Sequence, residues 1–226
     1  MPFTALESTF VATEEKGEVS SLLIRPPEAC WLMVLGHGAG AGMRHRTLEA
    51  LAQRLAEVGI ATFRYQFPFM ERGGGGRDAR AVTLATVRSA VATAYEAAGD
   101  LPMIAGGHSF GGRMTSTAAS EAPLEHVRGL VFFSFPLHPA GKPGTERAEH
   151  LDSVTVPMLF LSGTRDSLAD LNLLRPVCQR LQDRATLHLV DTANHGFKVL
   201  KRTRRSQEDV FFEMARVLRR WVDTLR

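Results

Sequence analysis

The sequence is poor in the features that mark membrane proteins, disulfide-rich secreted proteins and structural zinc proteins. Its 226 residues include only two cysteines, Cys30 and Cys178, which stand far apart and outside any CxxC pair. Neither a disulfide framework nor a zinc site is therefore expected. No apolar run approaches the roughly 18 residues of a membrane span. The first 17 residues carry three glutamates and lack the apolar core of a secretory signal. We expect a cytoplasmic protein without a membrane segment, a metal ion or a cofactor.

The sequence also lacks a large excess of charge of either sign. The net charge is +3, which does not predict the concentrated basic face of a nucleic-acid-binding domain. The densest basic run, Lys201 to Arg205, is short and typical of solvated surface, with binding of a polyanion as the minor alternative. With 44% hydrophobic and 23% charged residues, the chain is expected to form one globular domain over residues 1–226. Nothing in the composition indicates an oligomeric state.

Short apolar runs alternate with helical patterns along the chain. Strands are predicted at Val19–Arg25, Trp31–Leu35, Ala61–Tyr65, Met103–Ala105, Leu130–Phe135, Met158–Ser162 and Leu187–Val190. Helices are predicted between most of these strands, and a last helix follows Ser206, which with Asp209 forms a capping-box pattern. A loop is predicted from Gln66 to Arg80. The alternation predicts an α/β fold, a mostly parallel central sheet with helices on both faces.

A G-x-S-x-G pattern marks a candidate nucleophile. Gly107 to Gly111 reads GHSFG, directly after the strand Met103–Ala105 and directly before a helix predicted over Gly111–Glu121. This strand-turn-helix context is the one that a nucleophile elbow requires. Glycines two residues either side of Ser109 avoid collisions across the sharp turn, and the helix N-terminus favours developing negative charge. The alternative is a serine that only caps the helix.

A base and an orienting carboxylate are expected later in the chain. In hydrolases with this elbow the order is serine, then acid, then histidine. His195 follows the last predicted strand and is the candidate base for Ser109, whereas His188 lies inside that strand and is interpreted as structural. Asp166 follows the preceding strand and is the candidate for orienting the imidazole. Asp170 is the alternative, favoured less because it lies further from the strand end.

A glycine-rich turn after the strand Trp31–Leu35 predicts an oxyanion hole. Gly36 to Gly42 reads GHGAGAG, and a backbone N–H at Ala39 is one candidate donor. The N–H of Phe110, directly after the candidate nucleophile, is the second. A nucleotide-phosphate loop is the rival interpretation, and it lacks the Gly-Lys-Ser/Thr signature.

These motifs together resemble the α/β-hydrolase superfamily over nearly the whole chain. The closer resemblance is to compact bacterial proteins of the dienelactone-hydrolase-like subfamily, which are related to a chromatin-complex subunit and to testis-expressed animal homologues. It is carried by Leu35–Met43, Phe67–Met70, Gly106–Arg113 and Phe135–Pro139. The resemblance implies the same catalytic and oxyanion residues. Dienelactone hydrolases use a cysteine nucleophile where this chain has Ser109, so their substrate is not carried over.

The segment in which many hydrolases carry a cap domain is short. Only Pro136 to Pro157 separate the two strands concerned, which predicts an open site without a large cap domain. His138, Lys142 and His150 lie in this segment, and Arg72 lies in the loop after Ala61–Tyr65. These four are candidate contacts to a polar or anionic substrate, with ordinary loop polarity as the alternative.

The sequence therefore predicts a serine hydrolase that acts on a small-molecule ester or thioester through an acyl-enzyme intermediate. Ser109, Asp166 and His195 would perform the chemistry. Acyl transfer to an acceptor other than water would use the same residues. The alternative from a different class is a non-catalytic binding or scaffold protein that retains the fold, as the resemblance implies for the animal homologues.

Overall fold

A central eight-stranded sheet organises the structure, a computed structural model that describes residues 2–225. The strands are β1 Leu6–Thr13, β2 Gly17–Ile24, β3 Trp31–Gly36, β4 Ile60–Tyr65, β5 Met103–His108, β6 Val127–Phe133, β7 Met158–Gly163 and β8 Ala185–Val190. The helices are α1 Arg46–Glu57, α2 Pro68–Glu71, α3 Arg80–Ala98, α4 Phe110–Glu121, α5 Leu171–Arg180 and α6 Val210–Val222. Short 3₁₀ helices lie at Glu146–Ser153, Gln182–Arg184 and Asp223–Leu225.

The strand order in the sheet is β1-β2-β4-β3-β5-β6-β7-β8. β2 pairs antiparallel with β1 on one side and with β4 on the other. All the other neighbouring pairs, from β4-β3 to β7-β8, are parallel. The predicted α/β fold with a mostly parallel sheet is confirmed. Because parallel strands end at a common edge, the loops after β3, β5, β7 and β8 lie together at one side of the molecule.

Two hydrophobic layers cover the two faces of the sheet. Successive side chains of β3 alternate between them, with Leu32 and Val34 on one face and Trp31, Met33 and Leu35 on the other. α3, α4 and α5 pack on the first face, and α1 and α6 pack on the second. No helix within residues 2–225 combines the length and the hydropathy needed to cross a bilayer.

β1 was not predicted, and β6 ends at a different residue from the one predicted. Only Phe10 and Ala12 of β1 are buried, so this edge strand lacks the alternating apolar pattern by which strands are predicted. β6 ends at Phe133 rather than at the predicted Phe135. Ser134 has a φ of 58°, outside the range of a strand, although its N–H still donates to Leu161 O on β7 at 2.8 Å. The predicted loop from Gln66 to Arg80 also contains the short helix α2.

The segment between β6 and β7 holds no inserted domain in the described chain. Its only regular element is the 3₁₀ helix Glu146–Ser153, which packs against α4 through the buried Ala148 and Leu151. The prediction that a large cap domain is lacking is confirmed. The sheet edge that carries the loops after β5 and β8 is therefore not covered by an additional helical layer from this segment.

The N-terminus of α6 differs from the predicted capping box. Asp209, not Ser206, is the N-cap, and its carboxylate accepts a hydrogen bond from Phe212 N–H at 3.0 Å. The Ser206 hydroxyl accepts from Glu208 N–H at 3.1 Å in the preceding turn. Both serine and aspartate are good N-caps, so the pattern alone did not determine at which of the two residues the helix begins.

We predict that Asp209→Ala lowers the free energy of unfolding by about 1 kcal/mol, because an N–H of the first turn loses its acceptor. Ser206→Ala should cost less than about half of that, since Ser206 caps no helix. Asp209→Asn retains an acceptor and should stay close to the parent protein. Urea denaturation of the three variants measures the differences. A larger loss in Ser206→Ala than in Asp209→Ala would contradict this assignment.

Candidate active site

Ser109 lies at the turn from β5 into α4 in a strained conformation. Its φ of 51° and ψ of −110° are rare for a residue with a side chain, and such strain costs about 1–3 kcal/mol. The Ser109 N–H donates to Phe133 O at 2.9 Å, and the Ser109 carbonyl accepts from Arg113 N–H at 3.1 Å. The backbone is thus held by β6 on one side and by α4 on the other, while the hydroxyl stays partly exposed.

The glycines around Ser109 are required by the neighbouring strand β3. A Cβ on Gly107 would come closer than 3.0 Å to the carbonyl oxygen of Gly36, and a Cβ on Gly111 would collide with the same peptide. Gly106, with a φ of 159°, is equally tight against Val131 on β6. The expected collisions across the turn are also present, since the same Cβ on Gly107 would lie 2.9 Å from both Gly111 C and Gly112 N. The glycines are therefore required both by the turn and by the strands on either side of β5.

The structure brings His195 to Ser109. The Nε2 atom of His195 lies 2.8 Å from the Ser109 hydroxyl oxygen, although the two residues are 86 positions apart. The loop that carries His195 is held by Asn194, whose side-chain oxygen accepts from the N–H groups of Gly196 at 3.1 Å and Lys198 at 2.9 Å. The imidazole is 22% exposed, so one edge of the pair faces solvent.

Asp166, rather than Asp170, is the carboxylate that contacts His195. Both Asp166 oxygens lie 2.9 Å from His195 Nδ1, and its side chain is fully buried. One oxygen also accepts from Leu168 N–H at 2.8 Å, which fixes the carboxylate. Asp170 is the N-cap of α5 and accepts from Asn172 N–H at 2.8 Å. Since an ionised carboxylate only accepts hydrogen bonds, Nδ1 donates to Asp166 and Nε2 is left to accept from the Ser109 hydroxyl.

The loop after β3 is held in place by three side chains. His37 is buried, and its Nε2 accepts from Phe67 N–H at 3.0 Å, which leaves the Nδ1 proton to be donated to Gly38 O at 2.8 Å. Burial lowers the pKa of His37 to about 4, which agrees with this neutral form. Gln66 and Arg64 bind the N–H and the carbonyl of Met43 at 2.8 and 3.1 Å. The backbone around Ala39 is thereby anchored at both ends.

Phe110 begins α4, and the first N–H groups of a helix have no acceptor within the helix. Its side chain is buried among Phe67 and Phe69, with ring centroids 5.3 and 5.9 Å away. The packing of its ring therefore holds Phe110, the residue directly after Ser109, in place. This is compatible with the predicted donor, and the donation itself stays a prediction.

His108 is a residue of the site that the sequence analysis did not assign. Its Nε2 donates to the carbonyl oxygen of His195 at 3.0 Å, and the two rings lie 5.4 Å apart. Burial lowers the pKa of His108 to about 4. Its Nδ1 would lie 3.0 Å from a Cβ on Gly38, so only glycine fits there without a shift. His108 thus packs between the loop that carries His195 and the loop after β3. Its position inside the GHSFG motif was the available signal.

The four predicted substrate contacts lie in different places. His138 is buried and its ring nitrogens face Pro139 O at 2.9 Å and Asp170 N–H at 3.5 Å. Lys142 is exposed, and Arg72 pairs with Asp78 at 2.8 Å. His150 lines a cavity beside α4. Their role as substrate contacts stays a prediction. No group of three or more His, Cys, Asp or Glu side chains suited to a metal ion occurs within residues 2–225.

A strained serine between a strand and a helix, with an aspartate and a histidine from later loops, is the arrangement of an α/β hydrolase. The sequence matches the model of the alpha/beta hydrolase domain family over residues 29–223, and the chain belongs to this family. The predicted membership of the α/β-hydrolase superfamily is confirmed.

Solved structures of similar fold cover almost the whole chain. One is dienelactone hydrolase from Anabaena variabilis, with a TM-score of 0.74, 18% identity and 99% of each chain covered. Another is XC6422 from Xanthomonas campestris, a serine hydrolase without a lid, with a TM-score of 0.73, 18% identity, and 99% of this chain and 96% of that chain covered. Est1E from Butyrivibrio proteoclasticus has a TM-score of 0.69, 15% identity and 98% of each chain covered. At these identities the likeness shows the fold.

We predict that Gly107→Ala destabilises the protein by about 1–3 kcal/mol, because its Cβ would overlap the Gly36 carbonyl. Gly76→Ala is the matched control, since no heavy atom lies within 4 Å of a Cβ there, and its effect should stay within about 0.5 kcal/mol. Thermal denaturation should show a clear fall in Tm for Gly107→Ala and little change for Gly76→Ala. Equal stability of the two variants would contradict the close approach of β3 to this turn.

Proposed function

We propose that this protein is a serine hydrolase that cleaves an ester or thioester through an acyl-enzyme intermediate. The observation that carries the proposal is the continuous hydrogen-bonded series from Asp166 through His195 to the Ser109 hydroxyl, with distances of 2.9 and 2.8 Å. A scaffold protein has no physical need for this series or for the strained backbone of Ser109.

In the proposed reaction, Ser109 Oγ attacks the acyl carbon while His195 Nε2 takes the hydroxyl proton. Asp166 stabilises the resulting imidazolium through the Nδ1–H bond and does not itself take the proton. Collapse of the tetrahedral intermediate expels the alkoxide or thiolate, which receives the proton from His195. Water then attacks the acyl-serine with His195 again as base, and the free acid and the Ser109 hydroxyl are restored.

The developing oxyanion is proposed to accept hydrogen bonds from the N–H groups of Ala39 and Phe110. Support comes from the anchoring of the loop after β3, in which His37 binds the Gly38 carbonyl and the Phe67 N–H. A donor of this kind acts through its fixed orientation, and removing one typically costs about 3 kcal/mol of transition-state stabilisation.

The substrate is proposed to be a small acyl compound that reaches an open site in a cytoplasmic protein. Openness is supported by the 22% exposure of His195 and by the single 3₁₀ helix in the segment between β6 and β7 of the described chain. Acyl transfer to a second acceptor would use the same groups. The narrower kinship with a chromatin-complex subunit and testis-expressed homologues stays a prediction.

We predict that a fluorophosphonate probe labels the native protein at Ser109 and that Ser109→Ala is not labelled. Hydrolysis of p-nitrophenyl butyrate and of a matched thioester should fall by about 10⁴-fold or more in this variant, because the nucleophile is lost. Labelled peptides identified by mass spectrometry give the position. Absence of labelling in well-folded native protein would reject the proposed function and favour the non-catalytic alternative.

The assignment of the carboxylate has its own test. Asp166→Asn should lower kcat by about 10⁴-fold, because the amide favours the wrong tautomer of His195. Asp170→Asn is the matched control and should retain nearly full kcat, since Asp170 caps α5 and asparagine caps equally well. Steady-state kinetics on p-nitrophenyl butyrate separates the two. A large loss in Asp170→Asn with little loss in Asp166→Asn would reverse the assignment.

A further inference from the structure

A cavity of about 390 Å³ lies at the N-terminal part of α4, the helix that directly follows the candidate nucleophile. It lies between the first turns of α3 and α4 and the 3₁₀ helix Glu146–Ser153, and Phe110 forms part of its wall. Four arginines from three separate segments line it: Arg77, Arg80, Arg113 and Arg147. Its size falls within the range of small-molecule sites.

Most of this positive charge has no partner in the protein. Arg80 pairs with Glu121 at 2.7 Å, and the lining carboxylate Asp78 pairs with Arg72 at 2.8 Å. Within residues 2–225, the guanidinium groups of the other three arginines make no ion pair and no hydrogen bond, and Glu146 is the one remaining carboxylate of the lining. The cavity therefore keeps a net positive charge.

Arg113 is the most constrained of the unpaired cations. It is partly buried, and its Nε–H is fully buried without a hydrogen-bond partner in the part of the chain that the structure describes. Burial, followed by repulsion from Arg147 and Arg77, lowers its pKa. A buried N–H donor without an acceptor lowers the stability of the folded state, so the protein maintains this arrangement against its own folding free energy. An anion in the cavity would compensate the unpaired charge of the Arg113 guanidinium.

Two lining residues connect the cavity to Ser109. Arg113 is four residues after Ser109 on α4, about 6 Å along the helix axis, and its N–H binds the Ser109 carbonyl at 3.1 Å. The Arg77 guanidinium stands 5.7 Å from the centre of the Phe110 ring, and Phe110 is the residue after the nucleophile. A group bound between these arginines is within reach of a scissile bond at Ser109.

His150 lines the cavity without adding charge. The Ser116 hydroxyl donates to Arg113 O at 3.0 Å and therefore accepts from His150 Nε2–H, 2.8 Å away. Burial, with the nearby Arg113 and Arg80, lowers the pKa of His150 to about 4, so the ring is neutral near pH 7. The positive potential of the cavity thus comes from the arginines alone.

We propose that this cavity binds an anionic group, a carboxylate or phosphate, carried by the acyl substrate whose ester or thioester bond is cleaved at Ser109. The planar guanidinium fork matches both oxyanions. The inference rests on the proposed function and specifies its substrate class: acyl compounds with a second, negatively charged end. Arg113 and Arg147 are the principal contacts, and Arg77 is the third.

The test compares mono-p-nitrophenyl adipate with p-nitrophenyl methyl adipate, which differ by one negative charge at the far end of the acyl chain. The wild-type protein should have a higher kcat/KM for the anionic ester. Arg113→Gln and Arg147→Gln should each reduce the ratio of the two kcat/KM values at least about tenfold. Inhibition by adipate and by inorganic phosphate, measured side by side, distinguishes a carboxylate site from a phosphate site.

Arg175→Gln is the matched control, because it removes one positive charge from an exposed position on α5 and should leave the ratio unchanged. Arg113 is half-buried, and its substitution can prevent folding. In that case Arg77→Gln takes its place, because Arg77 is exposed. Equal kcat/KM for the two esters in the wild type, or an equal loss in Arg175→Gln, would overturn the proposal.

If neither ester is cleaved and Ser109 is not labelled, the proposed hydrolase function fails. Calorimetry with adipate and with phosphate then tests anion binding by the cavity alone. Binding to the wild type that is lost in Arg147→Gln supports an anion site in the cavity. Absence of binding to the wild type overturns it.

Discussion

The close approach of three chain segments at Gly36 is the constraint on which the site depends. The end of β3 touches both Gly107 on β5 and Gly111 on α4, with no room for a Cβ at either position. This contact forces the chain to turn at once, and Ser109 takes up the strained φ of 51°. The loop with His37 and Ala39 begins directly after Gly36. The packing of Gly36 against Gly107 and Gly111 therefore fixes both Ser109 and the start of the loop that carries Ala39.

The strands buried on both faces were predictable from sequence, and the edges of the sheet were not. β3 and β7 are buried at every position, and such continuous apolar runs bounded by glycine are strong signals. β1 buries only two of its eight residues, so its sequence does not differ from that of a loop. The N-cap of α6 was misplaced because Ser206 and Asp209 both satisfy the local pattern, and packing of the following helix decides between them.

The catalytic candidates were predictable because the motif and the chain order can both be read from the sequence, whereas the supporting contacts are visible only in the folded structure. Ser109 follows from the strand-turn-helix context, and His195 from its place after β8. The tautomer of His37 depends on an N–H thirty residues away at Phe67, which no local pattern encodes. The cluster formed by Arg77, Arg113 and Arg147 likewise exists only once α4 and the 3₁₀ helix are packed together.

Burial of the neighbouring His108 also matters for the electrostatics of His195, the candidate base. His108 lies with its ring 5.4 Å from that of His195, and burial holds its pKa near 4. A charged imidazolium at that distance would oppose protonation of His195 by about 3 kcal/mol at an effective dielectric constant near 20. Because His108 is neutral instead, it donates one hydrogen bond to the His195 carbonyl without adding repulsion. The buried Asp166 carboxylate is then the acidic group in direct contact with the ring, and in the proposed mechanism it stabilises the imidazolium of His195.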